Sequence, residues 1–221
     1  MTRLIDLIRQ SFGSIVDAVM PLRARSARTR ERKAEDIPLT PTEHELLGAN
    51  ITTLADYRRS EVQDLIRSLK YDGSRHAATI AADVLADFLR EEIASRRLFS
   101  TKKILLVPIP LHKARERERG FNQIELVLRS LPAEFKNGDL ATIAPASLLR
   151  TRATSAQTKL SRMERIKNVA GAFECGDATL LRGSHIFLID DVTTTGATLL
   201  HAGKPLQKAG AEVSLIALAR A

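Results

Sequence analysis

The sequence predicts an α/β fold, a parallel sheet flanked by helices, and three observations predict it. The runs KKILLVPIP, SHIFLID and EVSLIALA are apolar and of strand length, as expected for strands covered on both faces. The segments between them return to helical spacing. Strands that alternate with helices imply right-handed crossovers, and therefore a sheet whose ligands sit outside the carboxyl ends of its strands.

Taken in order, LIDLI and SIVDAVM within residues 2–22 form an amphipathic helix broken by Asp6, Arg9 and Asp17. It is too short to span a bilayer and is expected to pack on the domain, the alternative being a helix lying on a membrane or a partner. Residues 23–50 are rich in Arg, Pro, Thr and Glu with weak periodicity and read as a basic linker. The organised domain is placed at 51–221, with a helical hood region at 51–97 and a core at 98–221.

Val62, Leu65, Ile66 and Leu69 fall at i, i+3, i+4 and i+7, with Ser60 as the expected N-cap and Gly73 as the stop. A second helix follows over 77–93, carried by Ile80, Val84, Leu85 and Phe88. After the first core strand, Ile124, Val127, Leu128 and Leu131 mark another helix that ends before Pro132. PASLLRT and VAGAFEC are short strands that can pair as a flexible hairpin around the polar stretch 152–168, and such tips near active sites act as lids. A last helix over 196–209 contains Pro205, where it is expected to kink or restart.

Composition narrows the function classes. Only 4% of the 221 residues are aromatic and there is no Trp, so stacking platforms for single-stranded nucleic acid are scarce. A net charge of +8 favours phosphorylated or polyanionic partners. Much of that excess lies in RARSARTRERK, residues 23–33, which reads as a solvated tether or as an arm that binds nucleic acid or a partner. A single Cys, Cys175, makes neither an intrachain disulfide nor a cysteine metal site, which points to a reducing, cytoplasmic location.

The chemistry concentrates in HIFLIDDVTTTGATLL, residues 185–200. Asp190 and Asp191 follow an apolar strand, where a parallel sheet opens onto its ligand crevice. Successive strand side chains point opposite ways, so the pair is not expected to grip one ion symmetrically; one acid binds ligand while the other supports the loop. The next residues, TTTGAT, supply hydroxyls, backbone N–H groups and a Gly for a tight turn into a helix N-terminus, an anion cradle. A sugar phosphate satisfies both halves. In the plainer reading the aspartates cap the helix and the threonines are filler, but strand, acid pair and loop coincide in order. A haloacid-dehalogenase phosphatase would need a second Asp where Val192 stands, and a receiver domain would need more sheet after its acids.

LIDDVTTTGAT resembles the phosphoribosyl-pyrophosphate (PRPP) signature of type I phosphoribosyltransferases, with Thr193 at its variable position. LLVPIPLHKARERERGFNQIELV, Gln157, RMERIKNVAGAF and the terminal LIALAR resemble the competence-associated ComF family of type I phosphoribosyltransferase-like proteins, in order from Tyr57 to Arg220.

The resemblance implies the type I phosphoribosyltransferase fold with an N-terminal hood, and the following roles. Asp190 and Asp191, the implied catalytic pair, would address the ribose hydroxyls of PRPP and its Mg²⁺. Thr193, Thr194, Thr195, Gly196, Ala197 and Thr198 would hold the 5-phosphate. Ile109, Pro110, Lys113 and Arg119 would meet the pyrophosphate, in a loop that often carries a cis peptide in such enzymes. Arg115 and Arg117 alternate with Glu116 and Glu118 and read more simply as a solvent face. Gln157, Arg165 and Asn168 match the flexible loop that closes over PRPP, the bland alternative being a polar hairpin. His112 is assigned a supporting or solvent role.

Members of the family commonly begin with a cysteine-rich zinc module; this chain lacks such cysteines, so no zinc is expected. Thr194 stands where enzymes acting on 6-oxopurines carry an Asp, which disfavours a hypoxanthine or guanine acceptor. Two functions follow. One is a Mg²⁺-dependent transfer of phosphoribosyl to a nitrogen acceptor, linked to competence and DNA uptake. The other is a non-catalytic PRPP- or nucleotide-sensing accessory protein for DNA uptake or processing. The partners in view are PRPP, an acceptor, DNA or a competence-machinery protein through the 23–33 arm, and a second copy of the chain.

Overall fold

The computed structural model of the chain describes residues 24–152 and 168–221. Its main sheet is built from β1 (Thr42–Leu46), β2 (Ala49–Asp56), β3 (Ile104–Pro108), β4 (Thr142–Ile143), β7 (His185–Thr193) and β8 (Glu212–Arg220). The spatial order is β1-β2-β8-β7-β3-β4. All neighbours run parallel except β1, which pairs antiparallel with β2 at one edge. β5 (Leu148–Arg150) and β6 (Phe173–Cys175) form the separate antiparallel pair expected from PASLLRT and VAGAFEC.

Period-2 alternation along β7 divides the core. Phe187 and Ile189 face a cluster with Leu54, Leu85, Leu128 and Ile216. Ile186 and Leu188 face another with Ile51, Leu105, Leu199, Leu206 and Leu215. The first face is covered by α2 (Ser60–Asp72), α3 (Arg75–Arg97) and α5 (Gln123–Ser130), the second by α6 (Ala197–Lys208). The mostly parallel sheet flanked by helices is therefore as expected.

The helix ends follow local chemistry. Arg59, not Ser60, occupies the N-cap of α2, whereas Gly73 ends it in the left-handed conformation at φ 56°. Ser74 caps α3 by accepting from the Ala77 N–H. Asn122 caps α5 through the N–H groups of Ile124 and Glu125. Pro205 does not make α6 restart; one helix runs from Ala197 to Lys208, with the Pro in its last turns and buried Leu206 anchoring that end.

The linker reading of residues 23–50 is corrected. The segment contains α1 (Ala24–Arg30), β1 and the start of β2, so the boundary at 50/51 falls inside a strand. The polar composition misled because α1 docks through polar groups. Ser26 donates to Asp72 (2.6 Å), and the hydroxyls of Thr29 and Ser68 lie 3.2 Å apart. Arg28 places two donors on Asp64, each at 2.7 Å, and Arg32 adds a third at 3.2 Å. Asp64 is buried, and the Arg28 hydrogen bond holds its carboxyl below the usual range. The arm is thus a docked helix rather than a solvated tether. The helix expected at 2–22 lies outside the described residues. Among the described residues no helix is long and apolar enough to cross a membrane.

Candidate functional site

β7 delivers the two acids to opposite faces. Asp191 follows the Phe187 and Ile189 face and is 4% exposed. Its Oδ2 accepts from Gln123 Nε2 at 2.6 Å, and its Oδ1 lies 3.0 Å from Lys70 Nζ. Gln123 in turn accepts from Arg119 Nη1 at 2.5 Å. Helices α2 and α5 therefore hold Asp191 in place. Asp190 is half-buried on the other side, and its Oδ1 accepts from the Asp191 N–H at 2.8 Å.

The electrostatics differ accordingly. Burial, and then the charge of Asp191, push the Asp190 carboxyl up to about 7, while Lys70 and Arg150 pull the other way. Burial opposes the Lys70 ammonium, but the attraction of Asp191, its hydrogen bond and Asp190 outweigh it and raise the pKa. Burial lowers Arg119 and Arg150, and neither leaves the charged state. Lys70, Arg119 and Arg150 thus converge on the acid pair and make a setting suited to a polyanion.

The loop after the acids turns directly into α6. Thr193 is the buried last residue of β7, and its carbonyl accepts from the Ala221 N–H at 3.0 Å. Thr194, Thr195 and Thr198 are half-buried, and Thr195 Oγ1 accepts from the Ala197 N–H at 3.4 Å. Gly196 sits at φ 80°; a Cβ there would meet Ile51 Cδ1 at 2.7 Å and Leu46 Cβ at 2.9 Å. Only glycine fits both the conformation and the space. α6 begins directly at this turn, with Gly196 as its N-cap, so that the loop stands at a helix N-terminus.

The loop after β3 is pinned beside it. Ile109 donates its N–H to the Ile189 carbonyl at 2.9 Å, and its own carbonyl accepts from Asn122 Nδ2 at 3.0 Å. Pro110 is half-buried and Lys113 exposed; no cis peptide occurs among the described residues. Arg115 and Arg117 are exposed on α4 (Lys113–Arg119), in keeping with a solvent face. His112 Nδ1 accepts from the Ala114 N–H and so caps that short helix. The Asn168 carbonyl accepts from Arg152 Nη2 at 3.2 Å, while Gln157 and Arg165 lie outside the described residues.

Sequence reasoning assigned no role to Lys70, Gln123 or Arg150. Lys70 had a signal, because it is four residues after Ile66 and so falls on the apolar stripe of its helix. Gln123 belongs to the RGFNQ block. Arg150 ends a short strand and carries no signal.

Among the described residues no group of three or more His, Cys, Asp and Glu side chains is placed to hold a metal. Two adjacent carboxylates, one of them free of a cationic side-chain hydrogen bond, do suit Mg²⁺, which is usually held by one or two carboxylates plus substrate oxygens.

No protein-family model matches the chain. It is 30% identical over 162 residues to the DNA utilization protein YhgH of Escherichia coli K12, covering 73% of this chain and 67% of that protein. It is 30% identical over 166 residues to the competence protein ComFC of Streptococcus pneumoniae, with 75% and 66% covered. With ComFC of Bacillus subtilis the identity is 36% over 119 residues, 54% of this chain and 45% of that one. The order and extent of these matches, together with the acid pair and the RGFNQ helix that holds it, establish that the chain belongs to the ComF family.

Proposed function

We propose that the protein binds PRPP with Mg²⁺ and transfers its phosphoribosyl group to a nitrogen acceptor, in support of competence or DNA utilization. The observation that carries this reading is the placement of Asp190 and Asp191 near the end of β7, directly before a glycine-tight hydroxyl loop at the start of a helix, where burial pushes the Asp190 carboxyl up. Such a group is costly to ionise alone and is relieved by a cation, while the adjoining loop takes a phosphate.

Asp190 would hold Mg²⁺ together with PRPP oxygens, and Asp191, fixed by Lys70 and Gln123, would meet a ribose hydroxyl. When bound, Mg²⁺ supplies charge neutralisation for the departing pyrophosphate. The Thr194–Thr198 loop would hold the 5-phosphate, and Ile109, Pro110, Lys113 and Arg119 would line the pyrophosphate side. The chain's part is then to orient, neutralise and exclude water, with no protein nucleophile. The names of the relatives support the link to competence and DNA utilization.

Calorimetry with PRPP, with and without Mg²⁺, tests the reading. Mg²⁺-dependent binding that is lost in the Asp190→Asn, Asp191→Asn double variant is expected. Absence of binding at millimolar PRPP overturns it.

A further inference from the structure

A cavity of about 550 Å³ lies at the pole of the molecule opposite the acid pair. Ile104, His185 and Glu212 line it, and each is the first residue of its strand, paired side by side across β3, β7 and β8. His185 precedes Asp190 by about 16 Å along β7. The cavity therefore has no share in the site described above, which lies at the carboxyl ends of the strands.

One wall is the end of α3. Leu98 and Phe99 follow its last turn and are 78% and 90% exposed, the two most exposed large apolar side chains among the described residues. Their backbone is tied down: the N–H groups of Leu98 and Phe99 both donate to the Arg96 carbonyl, and the Lys102 N–H donates to Ser100 Oγ at 3.3 Å. Phe99 also lines the cavity. An adjacent apolar pair held out on a hydrogen-bonded turn, beside a cavity and rimmed by charge, marks an interaction surface; single exposed apolar residues carry no such meaning.

The rim is uneven in charge. Lys102 pairs with Glu212, and Arg96 Nη2 lies 3.5 Å from Glu92. Arg97 donates to the main-chain carbonyls of Asp139 and Leu140, while the Asp139 carboxylate accepts from Asn137 at 2.6 Å. Lys103, beside Ile104, and Arg182, packed against Gly210 just before β8, are both exposed. Among the described residues Arg97, Lys103 and Arg182 join no ion pair, and Arg96 Nε is buried without an acceptor. Burial, and then the charge of Arg96, lower the His185 pKa, so that ring adds no charge at neutral pH. Five cations thus stand against the three carboxylates of Glu92, Asp139 and Glu212.

This mixture selects among polyanions. Carboxylates interleaved with the cations repel a continuous phosphate backbone, and one exposed ring is too little for a run of stacked bases. A polypeptide meets every group: its carboxylates and carbonyls accept from Arg97 and the rim, its N–H groups donate to Glu92 and Glu212, and an apolar side chain covers Phe99. We propose that this pole is a docking surface for a partner protein, engaged through an acidic segment whose apolar side chain enters the cavity beside Phe99 and whose carboxylates meet Arg97 and its neighbouring cations. The proposal stands apart from the phosphoribosyl-transfer reading.

Fluorescence anisotropy on the full chain with short synthetic peptides tests it. The panel sets one Leu, Ile, Phe or Trp among Asp and Glu residues at varied spacing. Each peptide is matched by one with Ser for the apolar residue and by one with Lys for the acids. At least one member is expected to bind about tenfold tighter than both its matches, to weaken as salt is raised, and to lose about tenfold in Phe99→Ser. Arg97→Glu is expected to weaken the acidic peptides and not the Lys-substituted ones. Both side chains are exposed, so an unchanged melting temperature in each variant is expected to accompany the loss. No preference in any member, or a preference unchanged in both variants, overturns the proposal. So does an oligothymidylate that binds tighter than every peptide and is lost in Phe99→Ser, since the surface is then a nucleic-acid site. Self-association that rises with protein concentration and disappears in Phe99→Ser also overturns it, the occupant then being a second copy of the chain.

Discussion

Lys70 Nζ lies 3.0 Å from Asp191 Oδ1, and this contact fastens α2 to the carboxyl-terminal part of β7. The two side chains are 25% and 5% exposed, so the pair is largely withdrawn from water. Removing one partner leaves a buried charge uncompensated. Lys70→Met is expected to lower unfolding free energy by about 3 kcal/mol. Adding Asp191→Asn should recover much of that loss, which a urea-denaturation double-mutant cycle reads directly.

Asp190 makes the stability of the protein fall with pH. Its folded carboxyl titrates at about 7, against an unfolded value near 4. Between those values the folded state binds more protons, so the stabilisation is present in acid and is lost as pH rises through the window. Asp190→Asn should match the wild type near pH 4 and exceed it in melting temperature at pH 8. Parallel pH profiles for the two proteins would contradict this account, and saturating Mg²⁺ should narrow the gap.

Asp64 acts with the opposite sign. Its carboxyl is depressed chiefly by the hydrogen bond from Arg28, so its contribution is present above the ordinary carboxylate range and lost as pH falls. Arg28→Ala should therefore lower the melting temperature at pH 7 and converge on the wild type below pH 3. A temperature difference that persists in acid would mean that α1 docks by other contacts.

Gly196 is held by both conformation and space, at φ 80° and with Ile51 Cδ1 2.7 Å from where a Cβ would stand. Gly196→Ala is expected to cost about 2 kcal/mol of stability. If PRPP binds as proposed, its affinity should fall further than in an equally destabilised core variant such as Leu206→Val, because the loop proposed to hold the phosphate must shift.

The buried strands were legible because a strand covered on both faces reads as an unbroken apolar run, as in HIFLI and ILLVP. The amphipathic helices were equally legible, since Val62, Leu65, Ile66 and Leu69 keep helical spacing. The β1–β2 hairpin was not. Its first strand reads TEHEL and lacks apolar alternation: Thr42, Glu43 and Glu45 are exposed, and β1 is an edge strand covered on little of its surface. Local polarity there says loop, while the ladder with β2 says strand. Helix α1 is illegible for a related reason, since among its described side chains the buried ones are Ser26 and Thr29.

By itself the sequence determined that Asp190 and Asp191 stand at the carboxyl end of a buried strand, with a hydroxyl and glycine loop after them. Alternation along that strand also required the two acids to face apart. Only the tertiary structure decided which acid is tied down. Lys70 and Gln123 reach Asp191 because α2 and α5 both lie over the Phe187 face, and Asp190 is left on the opposite face of the strand. Long-range packing sets those partners, and local spacing carries no record of it.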